Sequence, residues 1–380
     1  MVKTVIHKLM VAGIVLLGLA SCVKSEIHDG GMSDVPMMFS TYASRSTSGT
    51  KADGSYVAPG TTVLPANSSF GVMAYYQPGT IGSYTGIWAD LATKLWKPDF
   101  MFNEEVTFDG TDYSYSPLRY WPANDENTIS FWAYYPYSAW AEDNSKSLKF
   151  FESDGTTRYT AASTTGLPVV KYTVASDPAD QQDIMFDSFA KKNMTYASCD
   201  PVDGTVDLTF RHALSLVRFN FGTLPEGVSV TVTSMTISNL YMSGTLTNLT
   251  PATEGAYAWT VTGDRASSTC NESDLTSDAA VFILMPQSLV NNENPSLEPA
   301  LNITFNLTIA AADGSDPIQY SSNTGTAKLK YIDNANHAND ILAFAPGKSY
   351  LYTIGVTLDT IEFSEAVESP AWGVTTNTDL

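Results

Sequence analysis

Residues 301–309 read LNITFNLTI. Leu301, Ile303, Phe305, Leu307 and Ile309 fall on one parity, and Asn302, Thr304, Asn306 and Thr308 on the other. Side chains of a strand point alternately to its two faces, so this pattern predicts a strand with one face in a core and one in water. Residues 350–358 (YLYTIGVTL) repeat it through Tyr350, Tyr352, Ile354, Val356 and Leu358, just after a Pro346-Gly347-Lys348 turn signal. Residues 129–135 (ISFWAYY) are apolar on both parities, which predicts a central strand between two layers. Residues 281–285 (VFILM) read the same way and stop at Pro286. Within 208–221 (LTFRHALSLVRFNF) the parity changes after Leu216, and a β-bulge there is the expected device. Helical periodicity is confined to a short stretch over 83–95. Many short strands separated by Gly, Asn, Asp and Pro predict an all-β fold of antiparallel β-sandwiches.

Working back to the N-terminus, Lys3, His7 and Lys8 precede an apolar run from Leu9 to Ala20. That run is too short to cross a bilayer, which takes about 20 apolar residues. A basic start, a short apolar centre and small residues at the end mark a secretory signal. It closes on Leu19-Ala20-Ser21-Cys22, which resembles the lipobox of bacterial lipoproteins. The resemblance implies a cut before Cys22 and lipid on its thiol, so that the chain is anchored to a membrane without spanning it. Residues 1–21 are then a lipoprotein signal peptide and 22–34 a flexible tether.

The remaining length suits two domains. Phe221 to Gly227 is the best boundary, since strand patterning resumes at Val228, so 35–222 and 223–380 are expected to form an N-terminal and a C-terminal β-sandwich. The formal charge of −20 excludes nucleic acid as a partner, because binding to phosphates needs a basic surface. An exported compartment permits a Cys199–Cys270 disulfide, but their separation disfavours it.

The chain carries no recognisable catalytic constellation. The mature histidines, His28, His212 and His337, have no metal-ligand spacing, and there is no GxSxG elbow and no CxxC. The adjacent Glu104 and Glu105 mimic a glycosidase dyad, but with 40 acidic residues adjacency arises by chance. Asp109-Gly110-Thr111-Asp112 and Asp313-Gly314-Ser315-Asp316 offer oxygen ligands for calcium, yet Asp and Gly so spaced more simply make turns. No catalytic residue, metal ligand or cofactor is therefore assigned, and the chain is read as a non-enzyme. Trp121, Phe131, Trp132, Tyr134, Tyr135, Tyr137 and Trp140 would stack on sugars if exposed and fill a core if buried. Alternation favours the core for the first five, whereas Tyr137 and Trp140, beyond Pro136, are expected to be exposed.

Several phrases together resemble one family. RYWPANDENTISFWAYYPYS (119–138) has its Tyr-Trp-Pro, polar gap and aromatic strand ending in Tyr-Pro. Asp183-Ile184-Met185-Phe186-Asp187, the strand carrying Phe210, His212 and Ser215, the closing Tyr350-x-Tyr352-x-Ile354 strand and Trp372 fall in the same order. The resemblance is to the fimbrillin, or Mfa-like, subunits of Bacteroidota type V pili. It implies two transthyretin-like sandwiches in tandem, a lipid anchor in the outer membrane at Cys22, and removal of a leading strand by an arginine-specific protease. The gap left would accept a strand from another subunit. Residues 35–43 (VPMMFSTYA), with Val35, Met37 and Phe39 facing inward, are the candidate leading strand, and Arg45 the candidate cut site ahead of Lys51. The tail from Thr360 either donates a strand through Ile361, Phe363 and Val367 or completes the C-terminal sandwich. Expected partners are other pilin subunits by donor-strand complementation, the outer membrane, and a glycan or protein on a host or bacterial surface. The alternative reading is a surface glycan-binding lipoprotein.

Overall fold

The computed structural model describes residues 32–43, 64–79, 97–140, 145–160, 166–187, 193–199, 202–249, 257–275, 280–310, 316–331, 340–356 and 361–369. The stretch expected to be helical, 83–95, lies outside them. In chain order the strands are β1 (Met32–Pro36), β2 (Met38–Ala43), β3 (Ser68–Gln77), β4 (Met101–Phe108), β5 (Tyr113–Ser114), β6 (Tyr120–Pro122) and β7 (Thr128–Tyr135). There follow β8 (Leu148–Phe151), β9 (Val169–Thr173), β10 (Met185–Asp187), β11 (Thr205–His212), β12 (Ser215–Phe221), β13 (Val228–Leu246) and β14 (Trp259–Cys270). The last are β15 (Phe282–Leu284), β16 (Gln287–Ser288), β17 (Ala300–Ile309), β18 (Ile318–Lys328), β19 (Ala343–Phe344), β20 (Ser349–Val356) and β21 (Ile361–Ser369).

These strands form three large sheets and two small ones. The first runs β2-β11-β10-β7-β3-β4-β5, the second β15-β12-β20-β21, and the third β18-β17-β13-β9-β8 with β14 also on β13. Two-stranded pairs join β1 to β6 and β16 to β19. Pairing is antiparallel except for β2 on β11 and β12 on β20, which are parallel.

The alternation of 301–309 is realised in β17. Leu301, Ile303, Phe305 and Leu307 are buried, and their polar neighbours are partly exposed. Strand β7 lies between β10 and β3 and is buried on both faces, as its sequence predicts. Ile129, Phe131, Ala133 and Tyr135 enter one hydrophobic cluster and Trp132 and Tyr134 the other. The first sheet is thus a shared wall. One side holds a smaller cluster with Phe70, Val72, Trp121 and Phe210. The other holds a larger one that draws on residues from both sides of residue 222. Consistent with this, β8 and β9 pair onto β13 in the third sheet. Cys199 and Cys270 are buried in different clusters.

Two expectations need correction. The parity change in 208–221 is not a bulge: the strand ends at His212, and a new one in another sheet begins at Ser215. Residues 282–284 are fully buried as predicted, but β15 terminates its sheet and is not central.

Candidate functional site

The leading strands lie in a built groove. β1 pairs with β6, and after Met37 the chain continues as β2 along the free edge of β11, with Met38 opposite Thr205 and Ala43 opposite Phe210. Of the inward residues expected from sequence, Met37 and Phe39 are buried in the smaller cluster and Val35 is half-buried against it. Met38 and Tyr42, on the opposite parity, are exposed. The ring of Phe39 meets Phe70, Tyr115 and Phe131 edge-on at centroid distances of 6.2, 5.5 and 6.0 Å. Burying one methionine and one phenylalanine contributes roughly 3–6 kcal/mol before ordering costs.

Polar contacts fix the strand's position. Met37 N–H donates to the Arg119 carbonyl (2.9 Å), and Met38 N–H to that of Gly204 (3.1 Å). The Tyr115 hydroxyl donates to the Met37 carbonyl (3.0 Å) and accepts from Arg119 N–H. Burial pushes that hydroxyl up to about 12, so it stays a donor. Ser40 donates to Asp207 on β11. Thr41 Oγ1 lies 2.6 Å from the Tyr113 hydroxyl. Since β2 and β5 are the two ends of the seven-stranded sheet, this contact curls the sheet back on itself.

Gly204 closes the groove's entrance. Its φ of +91° lies in the left-handed region that favours glycine, and a Cβ there would stand 2.7 Å from the Pro36 carbonyl oxygen and 3.0 Å from Val35 Cγ1. Its own carbonyl accepts from Trp121 Nε1 as well as from Met38. Sequence reasoning missed Gly204, Tyr113 and Tyr115, although Asp203-Gly204 carries an ordinary turn signal. Cys22, Arg45 and Lys51 lie outside the described residues.

At the other end of the chain, β21 runs antiparallel along β20 and forms the last strand of the second sheet. The structure thus places 361–369 on the chain's own sheet, one of the two arrangements expected for the tail.

The phrases that carried the resemblance meet at a joint. Met185 pairs with His212, Phe186 with Arg211 and Asp187 with Phe210. Just before that ladder, Asp183 reaches His212 Nδ1 at 2.9–3.0 Å, and both are buried. The linker from β11 to β12 is held on every side. Ala213 N–H donates to the Ile184 carbonyl, Trp259 Nε1 to that of Ala213 (2.7 Å), Gly347 N–H to that of Leu214 and Ser215 Oγ to that of Ala345. His212 is therefore a structural residue of the joint between sheets.

The remaining candidates do not converge. Glu104 is held up by burial against the pull of Arg119, while its neighbour Glu105 is exposed and accepts from Ser69. Adjacent strand residues point to opposite faces, so they form no dyad. Asp109 accepts from Thr111 and Asp112 N–H at 2.7 and 2.8 Å, and the Asp112 and Thr111 bonds hold its carboxyl low. That is a turn, as the simpler reading has it; 313–315 lie outside the described residues. Among the described residues no three His, Cys, Asp or Glu side chains cluster as metal ligands. The exposure expected for Trp140 is wrong: it is buried against Phe150, with Arg158 5.6 Å over its ring. Tyr137 is half-buried against the larger cluster.

Among the described residues the chain is all-β, and its second strand lies at the edge of the seven-stranded sheet. The chain belongs to the fimbrillin-like family, whose model matches residues 50–369, and so to a family of fimbrial subunits. It is similar to the fimbrium subunit Fim1C of Phocaeicola vulgatus, with 24% identity over 346 residues, 84% of this chain and 86% of that one. Its fold is similar to the crystal structure of a fimbrial protein from Bacteroides vulgatus, with a TM-score of 0.52 and 19% identity, covering 89% of this chain and 100% of that one.

Proposed function

We propose that this chain is the lipid-anchored precursor of a fimbrial subunit, assembled by strand exchange. Cys22 carries the lipid and holds the precursor at the outer membrane. A cut after Arg45 frees β1 and β2, and a strand from another subunit takes the place of β2 along β11. The chain catalyses nothing in this reading; its partners are copies or relatives of itself. The whole chain, with sheets and core shared across residue 222, serves as the building block.

One observation carries the reading: Met37 and Phe39 fill an apolar slot beside the edge of β11 that β2 covers. An edge strand leaves unpaired N–H and C=O groups, which a donated strand satisfies while alternate side chains fill the slot. The family match begins at residue 50, just past β2 and Arg45, in keeping with a removable leader. The several kilocalories of burial argue that release needs a covalent cut. The test is arginine-specific proteolysis of the purified precursor, with N-terminal sequencing and electron microscopy. A new N-terminus at Ser46 followed by fibres supports the reading. An intact Arg45, or cut monomers that never associate with any subunit of the same fimbria, overturns it.

A further inference from the structure

The outer face of the third sheet is lined by lysines and hydroxyls. Lys149 on β8 stands directly opposite Lys171 on β9, Lys171 opposite Thr245 on β13, and Thr245 opposite Thr260 on β14. The next row on this face is Thr173, Ser243 and Thr262. The intervening positions, Phe150, Val170, Tyr172 and Leu246, point to the core. Lys149 and Lys171 also line an open concavity of about 360 Å³ with Lys146, Ser147, Phe151 and Thr173.

Two features set this face apart. Like charges directly opposite one another destabilise a strand pair, yet Lys149 and Lys171 occupy such a pair with no carboxylate partner among the described residues. Lys171 Nζ is instead held 4.8 Å over the ring of Phe151. The lysines also gather in one concavity on a chain of formal charge −20. A bound anion would relieve both the mutual repulsion of Lys149 and Lys171 and their lack of a carboxylate partner. Flanking hydroxyls, with Thr173 Oγ1 2.9 Å from Ser243 Oγ, can exchange hydrogen bonds with a ligand that itself bears hydroxyls.

We infer that this face binds an acidic polysaccharide. Its carboxylate or sulfate sits in the lysine concavity, and its sugar hydroxyls run along the Thr and Ser rows. The face belongs to the third sheet and β2 and β11 to the first, so it operates in the uncut chain and does not depend on strand exchange.

The test is binding of the uncut full chain to dextran sulfate, polygalacturonate, neutral dextran and polyglutamate. Binding to either acidic polysaccharide but not to dextran is expected, weakening as salt rises. The preferred polymer distinguishes sulfate from carboxylate. Lys149→Ala/Lys171→Ala weakens it at least tenfold, while Lys97→Ala/Lys328→Ala, with the same charge change elsewhere, leaves it within twofold. Thermal unfolding checks that the first variant is folded; it is expected to melt no lower than the parent, since an opposed like-charge pair is removed. No binding to either acidic polysaccharide, equal loss in both variants, or polyglutamate binding as tightly as the polysaccharides would overturn the inference. The last result would make this a docking face for acidic protein segments.

Discussion

Asp183 and His212 are joined by a buried contact of 2.9 Å between a carboxylate oxygen and Nδ1. The pair ties the segment leading into β10 to the end of β11, where the chain leaves the first sheet for the second. Removing one member strands the other in the interior. Asp183→Ala is expected to cost about 3–5 kcal/mol, and Asp183→Asn, which keeps a hydrogen-bonding group, clearly less. Urea unfolding of the two single variants and the double variant with His212→Leu checks this. The double variant should lose less than the sum of the singles.

Gly204→Ala places a methyl group against the Pro36 carbonyl at a residue in the left-handed region. The expected cost is about 1–3 kcal/mol, felt at the leading strand. Limited proteolysis should then attack residues 35–45 faster, with the larger cluster's amides unchanged in hydrogen exchange.

Phe39→Ala removes the ring that meets Phe70, Tyr115 and Phe131. It should weaken the seating of β2 by about 3 kcal/mol. Tyr115→Phe, which loses the bonds to Met37 and Arg119, should cost about 1 kcal/mol. Hydrogen exchange at residues 37–42 reads both, with Phe39→Ala giving the larger effect.

How legible was this in the sequence? Strands such as β17 and β20 bury one parity and leave the other wet, so the pattern states the strand directly. A change of parity is ambiguous, because a bulge and a change of sheet look alike in the chain. What decides for a change of sheet is Ala213-Leu214, held by Trp259 and Gly347 from distant segments. The pairing of β2 with β11 is parallel and long-range, so no hairpin turn announces it. The inward parity of Met37 and Phe39 was readable; the clamp of Tyr113, Tyr115 and Gly204 was not, because each acts through contacts remote in sequence. Trp140 misled because the break at Pro136 hides the chain's return onto Phe150.

Glu298 and Lys330 form an ion pair at 3.0 Å, set beside the start of β17 and just past the end of β18. Burial would push the Glu298 carboxyl up, but the bond from Lys330 and the nearby charges bring it below its usual 4.5. The same bond lifts Lys330 above its usual 10.5. A lowered acid contributes stability above its unfolded value and loses it as pH falls through the folded one. A raised base contributes below its unfolded value and loses it as pH rises through the folded one. The pair therefore supports the fold between about pH 5 and pH 10. Lys330→Met should flatten the acid limb of the stability profile below pH 5, measured by urea unfolding across pH.

Hydrogen exchange along β11 tests the central claim most directly. In the uncut precursor the amides of 205–210 that pair with β2 should be protected. After cleavage at Arg45 and removal of the leader they should exchange freely, and in assembled fibres protection should return. Unchanged protection of 205–210 after the leader is gone, or fibres in which β2 still lies along β11, would contradict the account.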